Sequence, residues 1–233
     1  MFRKIAVLTA LLALGACATP YVATPYDRAS AAVASVGVLD DSVPEKASAY
    51  EVASVGSNFG LIGALVDAGI QLERQNAVND ALRTASFDAE AELEAKLADA
   101  LRAQGYNVSV MTAGERPKRD FLPSYPGAAA GTDAYLDVAV MNYGYMSSGA
   151  GQPFRPMVAA KVRLIRASDS STLMENQIVY NPLNTVAGII TLPPNPQYVF
   201  NNRSDLLADP ARLAAGIQDA LTQVAATAAQ LLR

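Results

Sequence analysis

The residues able to do chemistry in this sequence are few, and their types narrow the reactions before any fold is considered. Cys17 is the sole cysteine, and histidine is absent. Serine–histidine–acid and cysteine–histidine catalysis need an imidazole base, and histidine-built zinc sites need it as a ligand, so all three are excluded. The sequence has neither a Walker-type phosphate loop nor a Gly-x-Ser-x-Gly nucleophile turn. Asp40 and Asp41 close an apolar run, a position where ligand groups often lie. Adjacent strand residues point to opposite faces, however, so these two form an acid pair only if the turn bends them together. Arg116, Lys118 and Arg119 make a small basic cluster suited to anionic headgroups or glycan phosphates, or simply to water on an open loop. With one cysteine, no intramolecular disulfide can form. Cys17 is therefore left as a nucleophile or an attachment point.

Its surroundings favour attachment. Arg3 and Lys4 precede a short uncharged apolar run, Ile5 to Leu14, closed by Leu14-Gly15-Ala16-Cys17. The run falls short of the about 20 apolar residues a stable membrane span needs. A charged start, a brief apolar centre and a small-residue site describe a cleaved signal peptide over residues 1–16. Leu-Gly-Ala-Cys resembles the lipobox of bacterial lipoproteins. That resemblance implies that Cys17 becomes the acylated first residue of the mature chain, carrying palmitate-type chains. Ala18 and Thr19 follow, not the aspartate that in such proteins favours the inner membrane, which implies the periplasmic face of the outer membrane. Two or more acyl chains hold a protein stably where one binds only marginally.

The chain is acidic, with 22 Asp and Glu against 18 Lys and Arg, and losing Arg3 and Lys4 with the leader makes it more so. No basic stripe suggests nucleic acid as a partner. No cofactor and no enzymatic activity are expected, since no set of convergent catalytic groups is legible.

Positioning falls to a conventional set of elements. Residues 17–29, rich in Ala, Thr, Pro and Tyr, read as a lipidated tether. Ala32 to Leu39 alternates as a strand, ending in the turn-favouring Asp40-Asp41-Ser42. Val55 to Ser86 reads as a helical insertion. Its Gly56, Gly60, Ala64 and Ala68 lie four apart and would let another backbone approach closely, from within the domain or from a partner. Asp88 caps a helix running to about Gln104, with Leu93, Leu97 and Leu101 on one face and Gly105 as the left-handed stop. Val108 and Val110 start a second strand, and Thr112 to Gly131 is a proline-punctuated loop. Ala134–Tyr145, Pro156–Arg166 and Leu173–Tyr180 form a meander. Asp209-Pro210 starts a last helix with 3.6-residue periodicity from Leu213 onward. The result is an α+β domain over residues 30–233: a single mixed sheet of four to five strands packed by two or three amphipathic helices. Tyr143, Tyr145, Phe154, Tyr180, Tyr198 and Phe200 fall near strand ends. They serve either as the rim of the core or as an exposed aromatic contact surface.

The order lipobox, tether, strand ending in Asp, helix, strand, meander and C-terminal helix is similar to one group of small α/β lipoproteins. That group includes the curli-secretion lipoprotein, the penicillin-binding-protein activator lipoprotein and the N-terminal domain of TolB. The resemblance runs from Ser30 to Arg233 and includes the strand–turn–strand of Val158 to Leu173. It implies a non-enzymatic accessory or scaffold in envelope assembly, secretion or transport. Such a protein is held to the membrane by acyl chains on Cys17 and works by contact with an envelope protein or with further copies of itself. The alternative it carries is a subunit of an oligomeric outer-membrane secretion channel. That role needs hairpins of about 10 residues per strand with lipid-facing alternation. Gly144, Gly149 and Gly151 are expected to break such a hairpin between Met141 and Phe154.

Overall fold

The structure, a computed structural model, describes residues 21–52, 60–114, 116, 118–127 and 131–233; for residues 60–69 the description is of the helix backbone alone. The described residues form one seven-stranded mixed sheet, more than the four to five strands the sequence pattern foretells. The five expected strands are β1 (Ser35–Leu39), β3 (Asn107–Met111), β4 (Ala134–Ser147), β5 (Phe154–Arg166) and β6 (Thr172–Tyr180). The additions are β2 (Ser48–Glu51), parallel to the far half of β4, and β7 (Ile190–Leu192), parallel to β6. Both are too short to show alternation, and both exist because a long neighbour offers them a free ladder.

Strand order is β3-β1-β4-β5-β6-β7, with β2 lying beside β4 beyond the end of β1. β1 runs parallel to β3 and β4, and β4, β5 and β6 are antiparallel. The glycine expected to break β4 does not. Gly144 takes φ of +135° where β2 approaches so closely that a Cβ would sit 2.0 Å from the Ser48 carbonyl oxygen. A residue without a side chain is required there, and β4 passes through it to Ser147. The hairpin is long: β4 is buried over most of its length, while β5 is largely buried but has partly exposed residues and an exposed Arg155.

The helices are α1 (Arg28–Ala31), α2 (Gly60–Thr84), α3 (Ala89–Arg102), α4 (Arg203–Ala208) and α5 (Pro210–Gln230). Two caps form as the sequence foretells: the Asp88 carboxylate accepts from Ala91 N at 3.1 Å, and that of Asp209 from Arg212 N at 3.0 Å. The first strand starts later than expected, because Asp27 caps α1 and Ala32 turns left-handed after it. One face of the sheet carries Val36, Val38, Leu136, Val138, Val162, Leu164 and Ile178. They meet Leu93, Leu97 and Leu101 of α3 and Leu213, Ile217, Leu221 and Val224 of α5 in the main core. Their alternates, including Leu39 and Tyr135, point the other way and are covered with Leu122 by the segment after β3.

Candidate functional site

The sequence-derived contact residues separate into three groups. Cys17 and Gly56 lie outside the described residues. Gly60, Ala64 and Ala68 fall on the first turns of α2, where only the backbone is described. The later part of that helix packs inward. Val78, Ala81 and Leu82 are buried, Asn79 brackets Ala47 by accepting from its N–H at 2.9 Å and donating to its carbonyl at 2.8 Å, and Arg74 pairs with Glu51 at 2.8 Å. The inner half of the insertion is therefore a structural layer over β2.

The aromatic residues are a correction. Tyr143, Tyr145 and Phe154 are buried, as are Tyr180 and Phe200, and only Tyr198 keeps partial exposure. They join the end of the β4–β5 hairpin to the helical layer. Tyr145 meets Phe200 edge-on with ring centroids 5.6 Å apart, and its hydroxyl donates to the Leu213 carbonyl at 3.1 Å. The Tyr180 hydroxyl donates to Asp219 at 2.9 Å and accepts from Asn195 N at 2.7 Å. Burial pushes the phenols of Tyr145 and Tyr180 up, and that of Tyr143 up to about 12, the last helped by the nearby carboxylates of Asp88 and Glu90. An exposed aromatic contact surface is therefore not formed by these positions.

The polar residues at the end of β1 are committed to holding loops. Asp40 accepts from Ala113 N, and Asp41 accepts from Arg116 N at 3.2 Å and pairs with Arg119 at 3.2 Å. Arg116, which reads as solvated from its sequence neighbours, is inside: it pairs at 2.7 Å with Asp137, both side chains fully buried. The other carboxylate oxygen of Asp137 accepts from Leu122 N and the Tyr125 hydroxyl, both at 2.9 Å. The Arg116 side chain also donates to the carbonyls of Asp41 at 2.7 Å and Asp120 at 3.1 Å. This centre pins the post-β3 segment to the sheet. Glu90, at the start of α3, accepts from Ser42 N at 2.8 Å and Val43 N at 2.6 Å, and burial raises its carboxyl despite both bonds. No group of three or more metal-ligating side chains occurs among the described residues.

The start of the described chain is docked. Thr24 exchanges both backbone hydrogen bonds with Glu175 on β6, at 2.9 and 3.0 Å. Tyr21 lies against Gly188, where a Cβ would come within 2.7 Å of the Tyr21 carbonyl oxygen. The chain thus reaches the domain at the β6–β7 edge, beside a loop in which residues 183–188 are all exposed.

No protein-family model matches the chain, and no curated protein matches it. Two solved structures show weak likeness. One is a DUF330 protein from Xanthomonas campestris, at 17% identity and TM-score 0.32, over 58% of this chain. The chain spans only 55% of that protein's length. The other is the PelC dodecamer from Paraburkholderia phytofirmans, at 14% identity and TM-score 0.30, over 87% of this chain and 94% of that one. Neither TM-score is high enough to establish a shared fold, so neither assigns a function.

Proposed function

We propose that the protein is a lipid-anchored periplasmic accessory lipoprotein of the outer membrane that works by protein contact and not by catalysis. The observation that carries this reading is Leu14-Gly15-Ala16-Cys17, with the chain's sole cysteine in the acceptor position behind a charged start and an apolar run. The placement of the following residues supports it. Thr24 is bridged to β6 and Asp27 caps α1, leaving a short link between anchor and domain. No described helix is long and apolar enough to cross a membrane. Contact over catalysis is supported by the use of the ionisable groups: the buried arginine–carboxylate centre and the Glu90 carboxylate are spent on holding loops.

The test is Cys17→Ser in cells. The variant should move from the membrane fraction to the soluble periplasmic fraction, and mass spectrometry of the native chain should find acyl chains on Cys17. Retention of the variant in membranes at high salt would overturn the anchor. Crosslinking in cells, followed by mass analysis of the adducts, then separates an envelope partner from self-assembly.

A further inference from the structure

We propose that the exposed β6–β7 loop, residues 183–188, together with Val22, is a membrane-docking face that lies on the lipid surface carrying the anchor. This rests on the lipid-anchor reading above and deepens it by giving the domain one orientation. Four independent features converge on the loop.

The first is reach. Tyr21 is packed on Gly188 and Thr24 is bridged to Glu175. Cys17 is four residues before Tyr21, so even a fully extended link spans at most about 14 Å. A lipid-bearing Cys17 therefore brings the bilayer surface to this corner of the domain. The second is composition. From Asn176 to Asn202 the sequence contains no Asp, Glu, Lys or Arg, so bringing this stretch to the interface desolvates no charge. The third is exposure of apolar side chains along the loop and on the residue next to Tyr21. Val22 is 78% exposed, Leu183 48% and Val186 53%. Side chains of this kind enter the boundary between headgroups and acyl chains to a depth of about 5–10 Å. The fourth is charge. Arg155 lines a small cleft with Asn181, Pro182 and Leu183, is exposed, and has no ion-pair partner among the described residues. It is placed to meet a lipid phosphate at the edge of the apolar loop. The opposite edge of the sheet, at β3, then faces away from the bilayer.

The test uses the full lipidated chain. Acylation of Cys17 leaves an introduced cysteine as the only free thiol. Val186→Cys, Leu183→Cys and, as the control on β3, Ser109→Cys are each labelled with an environment-sensitive fluorophore. Each is reconstituted into phosphatidylethanolamine–phosphatidylglycerol vesicles, with or without lipids brominated near the headgroup end of the acyl chains. Labels at 183 and 186 should shift to the blue and lose intensity with brominated lipid, while the label at 109 does neither. Arg155→Glu should weaken the quenching at 186 in vesicles containing phosphatidylglycerol. Three results overturn the proposal. Flotation with the vesicles without quenching at 183 and 186 refutes the docking face and leaves the anchor standing. A blue shift that bromine does not quench assigns the loop to a protein contact instead. Absence of acyl chains on Cys17 removes both the anchor and the docking face.

Discussion

Replacing Arg116 with methionine would take from the Asp137 carboxylate, in the sheet's second face, the guanidinium it pairs with. Both side chains are fully buried at 2.7 Å, so solvent does not screen the pair. Removing one partner of such a pair destabilises a fold by about 3–5 kcal/mol, whereas replacing both with apolar groups can be close to neutral. Here full recovery is not expected, because Arg116 also donates to the carbonyls of Asp41 and Asp120. Hydrogen bonds from a charged donor contribute about 1.5–3 kcal/mol each, and less where water can replace them. Arg116→Met should therefore cost about 3–5 kcal/mol, and Arg116→Met with Asp137→Leu about 1–3 kcal/mol, so that the second substitution recovers roughly 2 kcal/mol. Urea unfolding followed by far-ultraviolet circular dichroism is the assay, since the chain has no tryptophan to report by fluorescence. Lys161→Ala, which removes the more exposed pair with Asp120, serves as the control and should cost less than about 1 kcal/mol. If Arg116→Met falls within about 0.5 kcal/mol of the native chain, as a surface substitution would, the pinning role is refuted. A double variant no more stable than the single one refutes the expected recovery.

Two further outcomes are expected. Gly216→Ala should destabilise by about 1–3 kcal/mol through overpacking, although alanine is intrinsically the better helix former by about 1 kcal/mol. The added Cβ would lie 2.1 Å from the Tyr145 hydroxyl and 2.9 Å from Tyr198 Cβ, and Tyr145→Phe in the same chain should relieve part of the loss in urea midpoints. Asp133 accepts from Ala34 N, Ser35 N and the Ser35 hydroxyl, which hold its carboxyl below the usual aspartate value. A depressed native value contributes stability above the unfolded value of about 3.9, and that stability is lost as pH falls through the native value. Asp133→Asn should thus be less stable by up to about 1 kcal/mol at pH 7, the site being solvent-exposed, and the difference should shrink in acid. Paired unfolding curves from neutral pH downward check the sign.

Much of the fold is legible along the chain because its signals are local. Asp88 and Asp209-Pro210 mark helix starts by side-chain and ring geometry within one turn, and Gly105 ends α3 with its left-handed φ of +88°. The alternation of β5 survives because one of its faces packs on α5. The reading of Arg116 failed because its partner, Asp137, lies on another strand, and the charges beside it in the sequence, Lys118 and Arg119, suggest a wet loop. For the aromatic residues the sequence left core rim and contact surface both open, for a similar reason. A tyrosine at a strand end is exposed or buried according to whether another element covers it, and here residues 196–200 and α5 do.

The lipobox-like Leu14-Gly15-Ala16-Cys17 is legible in the sequence alone, because a motif of this kind is a run of neighbouring residues. Periodicity and caps likewise determine the central strands and the two amphipathic helices. Tertiary structure decided what depends on meetings between distant segments. It added β2 and β7 as passengers on longer strands, and it permitted Gly144 by the approach of Ser48. It made Arg116 and Asp137 a buried pair. It also folded the first described residues back onto Gly188 and Glu175, a meeting of segments more than 150 residues apart.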